Sequence, residues 1–123
     1  METSRIRTLA AGLLIASLAT SAATAGRVDI RIENVVGSPD PPRAGAPFEL
    51  TGRVLFTGGG PSLHCRVFVS AKRYRNVRLV WDGATARCSF TVPAGARGRG
   101  LSVALVASQG GSRARTTLRF RVS

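Results

Sequence analysis

VRLVWDGATARCSFTVP, residues 77–93, is the stretch on which the fold turns. Two runs of alternating residues flank Asp82-Gly83, a dipeptide that favours a two-residue β-hairpin. Centring the turn there pairs Trp81 with Ala84, Leu79 with Ala86 and Val77 with Cys88. Directly paired residues share a face of the sheet. Val77, Leu79, Trp81, Ala86, Cys88, Phe90 and Val92 then point one way, and Arg78 and Arg87 point the other. Both strands place their apolar residues on the same side, which is the agreement an antiparallel pair over a core requires.

The same period of two extends outward on both sides. Upstream, RVDIRIENVV (27–36) sets Val28, Ile30 and Ile32 against Arg27, Asp29, Arg31 and Glu33. In PFELTGRVLFT (47–57), Phe48, Leu50, Val54 and Phe56 oppose Glu49, Thr51 and Arg53. In LHCRVFVSA (63–71), Leu63, Cys65, Val67 and Val69 oppose His64, Arg66 and Ser70, with Phe68 read as an exposed or edge residue. Downstream, LSVALVAS (101–108) turns Leu101, Val103 and Leu105 inward. RARTTLRFRVS (113–123) alternates Ala114, Thr116, Leu118, Phe120 and Val122 with Arg113, Arg115, Thr117, Arg119 and Arg121. The Pro-rich 37–47, GGGPS (58–62), KRYRN (72–76), PAGARGRG (93–100) and QGGSR (109–113) read as connections. Seven short antiparallel strands with regularly spaced turns imply an all-β, immunoglobulin-like sandwich. A small closed barrel is the alternative.

The N-terminus is of a different kind. Arg5 and Arg7 precede the apolar run Leu9 to Ala19, and Ala23-Thr24-Ala25 fits a small-x-small cleavage site. Residues 1–25 therefore read as a Sec-type signal peptide and residues 26–123 as one domain. The apolar run is shorter than the roughly 20 residues a membrane-spanning helix needs. No cysteine follows the cleavage site, so a lipoprotein is not expected. The mature protein is expected to be secreted, periplasmic or at the cell surface, without stable membrane insertion.

Export decides how the cysteines are read. Cys65 and Cys88 are the only two in the chain, and both lie on apolar strand faces. Two thiols that pass through an oxidising compartment are expected to form a disulfide. A zinc site needs about four ligands, and the chain has a single histidine, His64, on the opposite face of its strand. A redox pair would more usually be spaced C-x-x-C.

The stretches AGAPFELTGRV (44–54), HCRVFV (64–69), GATARCSFTVPAGARGRGLSVALV (83–106) and TLRFRV (117–122) resemble a bacterial extracellular Ig-like module, of the kind found in exported proteins of high-GC bacteria. The resemblance implies a spacer or adhesive unit of longer proteins and brings no catalytic residues. The cysteines depart from the antibody pattern, in which the staple joins strands B and F. Here they fall on the third and fifth expected strands.

No catalytic or cofactor site is expected. His64 has no nucleophile or acid beside it in a recognisable motif. Asp29 and Glu33 read as cross-strand ion-pair partners, and the glycine-rich GGGP and GARGRG are turns rather than phosphate loops. The charge is the one functional lead. The chain has 18 basic and 6 acidic residues. Arg5, Arg7 and Glu2 leave with the signal, so 16 basic and 5 acidic residues remain, a net +11. Seventeen of the 18 basic residues of the full chain are Arg, as a GC-rich genome favours.

Arg113, Arg115, Arg119 and Arg121 form a stripe on the last strand, and Arg73 and Arg75 flank Tyr74 beside Lys72. Arg97 and Arg99 lie in a loop. Such residues are candidates for binding anionic polymers: envelope polysaccharide, lipopolysaccharide, teichoic acid or nucleic acid. The Cys65–Cys88 stretch is expected to present one outer face bearing Arg66, Arg73, Arg75, Arg78 and Arg87. Two functions follow. The first is a non-catalytic structural or interaction module whose partner is a protein or cell-envelope component. The second is an Arg-rich binder of anionic polymers.

Overall fold

The computed structural model describes residues 29–123. The expected signal segment, residues 1–25, lies outside the described residues, as do Arg27 and Val28. Eight strands run in chain order: β1 (Ile30–Ser38), β2 (Pro47–Phe56), β3 (Ser62–Val69), β4 (Lys72–Tyr74), β5 (Arg78–Trp81), β6 (Thr85–Thr91), β7 (Gly100–Gln109) and β8 (Ser112–Arg121). One turn of 3-10 helix, Ala94–Ala96, links β6 to β7.

The strands form two antiparallel sheets, β1-β2-β6-β5 and β4-β3-β7-β8. That order is the ABED and C′CFG arrangement of an immunoglobulin-like sandwich. Eight strands replace the expected seven. The addition is β4, within the segment read as a polar connection: Val67, Phe68 and Val69 pair with Tyr74, Arg73 and Lys72. Cys88 accordingly lies on the sixth strand and not the fifth.

Between the sheets, Phe48, Leu50, Val54, Val67, Ala86, Cys88, Phe90, Val92, Leu101, Val103, Leu105 and Val122 form one buried cluster. The inward faces read from the sequence supply it. Phe48 anchors an aromatic group, with its ring centroid 5.5 Å from Phe90 and 5.1 Å from Phe120. Gly37 lies under this group, where an added Cβ would sit 2.6 Å from Phe48 Cζ and 2.7 Å from Phe120 Cζ. The absence of a side chain at Gly37 is what lets the two rings meet.

The β5–β6 hairpin forms, but one residue further along than Asp82-Gly83 predicts. Trp81 pairs with Ala86 and Leu79 with Cys88. The turn centres on Gly83-Ala84, with Gly83 at φ +100° and Asp82 N–H donating to Thr85 O at 3.3 Å. Asp82 has a second use here. Its Oδ1 accepts from the N–H groups of Thr85 and Ala84, both at 2.8 Å. These hydrogen bonds, Thr85 first, hold the carboxyl below its ordinary range.

A depressed folded-state value means that this stabilisation is present above the unfolded carboxyl value and fades as pH falls through the folded one. Asp82→Ala should therefore lower the urea midpoint near neutral pH. The gap to the unsubstituted protein should close below the carboxylate range, at about pH 2. An equal gap at both pH values would remove Asp82 from the account of the turn.

In β1, Asn34 takes φ +53° and the register with β2 shifts between Glu33 and Val36. This bulge turns Val35 to the core and leaves Val36 59% exposed. Glu33 pairs with Arg31 along its own strand at 3.7 Å, rather than across strands as expected. Cys65 and Cys88 are joined in a disulfide with Cα atoms 6.3 Å apart. It crosses the core from β3 to β6 and so links the two sheets. In antibody-type domains the staple joins strands B and F, the counterparts of β2 and β7. Where β2 and β7 face each other here, Leu105 packs over Gly52.

Candidate functional site: the outer face of the β4-β3-β7-β8 sheet

Strand pairing fixes which side chains meet on this face. Across β3, β7 and β8, His64, Val106 and Arg115 form one row, and Arg66, Ala104 and Thr117 the next. Arg73, Phe68, Ser102 and Arg119 form a third row across all four strands. Ser62, Ser108 and Arg113 make a row at one end, and Gly100 and Arg121 lie at the other. Long side chains thus flank a central strand of small ones. Ala104 and Val106 point outward, away from the core cluster, yet each is only 1% exposed. Arg, like Lys, lays its aliphatic stem on apolar surface while its charged head stays in water. The cross-strand neighbours of Ala104 are Arg66 and Thr117, and those of Val106 are His64 and Arg115.

The charges are segregated between the two sheets. The four strands of this sheet carry Arg66, Lys72, Arg73, Arg113, Arg115, Arg119 and Arg121 and no acidic residue. Asp29, Glu33, Asp40, Glu49 and Asp82 all belong to the other sheet, its turn, or the segments flanking β1. On that other sheet two of the four strand arginines meet carboxylates: Arg31 meets Glu33 at 3.7 Å and Arg87 meets Glu49 at 3.4 Å. Guanidinium groups with no carboxylate on their own face repel one another and favour an anion brought to them. Arg121 is partly engaged already, since its Nη1 donates to Gly98 O at 2.7 Å.

The candidates read from the sequence are therefore mostly united. Arg113, Arg115, Arg119, Arg121 and Arg73 share this face, while Arg75 follows β4 in the connection to β5. His64 and Arg66 face the stripe across β7, an arrangement the sequence reading did not connect with it. Phe68 is half-buried on an interior strand of the sheet rather than at an edge. One expectation is overturned. Arg78 and Arg87 lie on the outer face of the other sheet, on the opposite side of the sandwich from Arg66 and Arg73. The Cys65–Cys88 stretch changes sheets, so it has two outer faces and not one.

At the β7–β8 turn the face deepens into a cavity of about 540 Å³ lined by Ser62, His64, Arg66, Ser108, Gln109 and Arg113, among others. With its amide oriented to satisfy its neighbours, Gln109 Oε1 accepts from Gly59 N at 2.9 Å and Gly60 N at 3.1 Å. These bonds tie the GGGP turn to the end of β7. A depression of about 560 Å³ on the other sheet is lined by Glu49 as well as Arg78, so it has no uniform charge. Among the described residues, no three His, Cys, Asp or Glu side chains gather in a metal-binding cluster. Among those residues, too, no helix is long and apolar enough to cross a membrane.

No family model matches the chain, and no curated protein matches it. Among solved structures, a chimeric titin Z1Z2 functionalized with a KLER exogenous peptide from decorin is similar. Identity is 15%, with a TM-score of 0.49, over 67% of this chain and 82% of that chain.

Proposed function

We propose that this chain is an exported, non-catalytic immunoglobulin-like interaction domain of a bacterial envelope or exterior, and that it acts through the outer face of β4-β3-β7-β8. Export rests on the basic, apolar and small-residue pattern of residues 1–25, and the disulfide accords with it. The bacterial assignment rests on the stretches quoted above. The non-catalytic reading rests on the company His64 keeps: it shares its face with Arg66 and Arg115, and its sheet supplies no carboxylate to form a proton relay.

The segregation of charge favours a second and sharper reading, that the face binds anionic polymers. Guanidinium forks on both sides of β7 suit carboxylate, sulfate or phosphate groups repeated along a chain. Dextran sulfate and linear polyphosphate are suitable probes. Binding to immobilised polymer is expected at low ionic strength and should weaken steeply with salt. Arg66→Ser, Arg115→Ser and Arg119→Ser together should weaken it at least about tenfold and lower the salt slope by about 3. Arg31→Ser, Arg53→Ser and Arg78→Ser together remove the same charge from the other sheet and should leave binding near that of the unsubstituted protein. An equal loss from both triple variants would reduce the effect to net charge. An absence of binding at low salt would end the polymer reading.

A further inference from the structure

A second cavity lies at the opposite end of the same sheet from the β7–β8 turn, beside the β3–β4 hairpin and the 3-10 turn. Its volume is about 300 Å³, and Val69, Lys72, Tyr74, Pro93, Ala96 and Arg99 are among its lining residues. The floor is apolar because it continues the core. Ala96 belongs to the buried cluster, and Val69 and Tyr74 pack against it, with Tyr74 6.0 Å from Phe90 between ring centroids. Lys72 pairs with Val69 and so shares its core-facing side, yet it is exposed because β4 is the sheet edge. Three cations, Lys72, Arg73 and Arg99, are among the lining residues, and no lining residue is acidic.

The backbone around the cavity is fixed in an unusual way. The two residues of the β3–β4 turn, Ser70 and Ala71, take φ +50° and +69°. Two-residue turns of this kind favour Asn and Gly, which tolerate the left-handed region. Ser-Ala is strained there, and backbone strain of this sort collects at binding and catalytic sites. Ser70 N–H donates to Gly100 O at 2.9 Å, which ties the turn to the start of β7. Arg99 is held on both sides: its N–H donates to Ala96 O at 2.9 Å and its carbonyl accepts from Val122 N at 3.0 Å. Lys72 and Arg99 therefore both line the apolar notch from anchored backbones.

We infer that this notch binds a small amphiphilic anion, an acyl or aryl group carrying one carboxylate. The apolar part lies against Val69, Tyr74 and Ala96, and the carboxylate is held at Lys72 and Arg99. The ligand is recognised by pairing apolar burial with charge-assisted hydrogen bonds at one edge. This site does not rest on the polymer reading, since its floor is apolar and its ligand is a single small molecule.

Octanoate and 1-octanol are matched probes, followed by methyl and amide NMR titration of the purified protein. Octanoate should shift Val69 and Ala96 saturably, and octanol much less. Lys72→Ser with Arg99→Ser should weaken octanoate by on the order of tenfold to a hundredfold; both residues are exposed, so the fold is retained. The Arg66, Arg115 and Arg119 triple variant should bind octanoate normally, which separates this site from the polymer face. Equal binding of octanol, shifts centred on the Arg66–Arg115 face, or an unaffected double variant would each overturn the inference. So would binding to phosphatidylglycerol vesicles with no binding of free octanoate, which would assign the cations to a lipid surface.

Discussion

Phe48→Ala should cost about 3–5 kcal/mol, the range for truncating a buried Phe. Phe48 is 1% exposed and touches the rings of both Phe90 and Phe120, one from each sheet. The cavity it would leave cannot collapse easily. Its walls are β-sheet backbones held in register by ladders on either side, and Gly37 beneath it has no side chain to move in. A domain of this size has about 5–15 kcal/mol of stability in all, so one truncation removes a large share. The measurement is urea unfolding followed by Trp81 fluorescence, with the midpoint falling and the slope unchanged. A loss below about 1 kcal/mol would mean that the aromatic group is not the joint between the sheets that its geometry implies.

Alternation along a strand tells which residues face inward, except where a bulge intervenes, as at Asn34. It does not tell which sheet a strand joins. For that reason Arg66 and Arg78, close in sequence and both outward, look like neighbours in the sequence but lie on opposite sides of the sandwich. The β5–β6 hairpin shows why the core was legible even where its pairing was not. Moving the turn from Asp82-Gly83 to Gly83-Ala84 shifts each partner by two residues, and with a side-chain period of two every face is preserved. Leu79 changes partner from Ala86 to Cys88 but still points inward.

Shorter features left no such trace. β4 has three residues, two of them cationic, too few to display alternation. It exists because β3 offers it an edge, which is a tertiary fact. The bulge at Asn34 has only an asparagine to mark it, and it reverses the facing of Val35 and Val36. The basic stripe of β8 is visible because four arginines recur at alternate positions of one strand, with Thr117 between them. Its opposite wall at His64 and Arg66 depends on β7 lying between β3 and β8, which no local pattern records.

Genomic bias and a functional surface make different demands on the arginines. A preference for Arg codons sets how many there are, and it spreads them wherever the surface tolerates charge. It has no means of keeping carboxylates off one sheet. The distribution is lopsided in its acids as much as in its bases: strands β3, β4, β7 and β8 have none, while β1 and β2 carry Glu33 and Glu49 with guanidinium partners. It is this sidedness that the two triple variants compare, since they remove equal charge from opposite faces.

The disulfide should stabilise the domain by about 3 kcal/mol. In the chain-entropy model that is the effect of closing a loop of this length in the unfolded state, and the cysteines are 23 residues apart. Cys65→Ala with Cys88→Ala, and the reduced protein, should both lose roughly this amount in urea unfolding. The single substitutions to Ser give a finer test. Each breaks the same bond, so any difference between them reports the surroundings of the serine and of the thiol left behind. Cys88 is 0% exposed, within the core beside Leu79, whereas Cys65 is only partly buried. A hydroxyl at position 88 has no water to replace a lost partner, and an unsatisfied buried polar group costs about 1–3 kcal/mol. Cys88→Ser should therefore be the less stable of the two by about 1 kcal/mol or more, and Cys88→Ala should recover most of that difference. Equal stability of the two Ser variants would place Cys88 in a wetter site than its burial describes. No loss on reduction would show that packing across the core already holds the two sheets together without the bond.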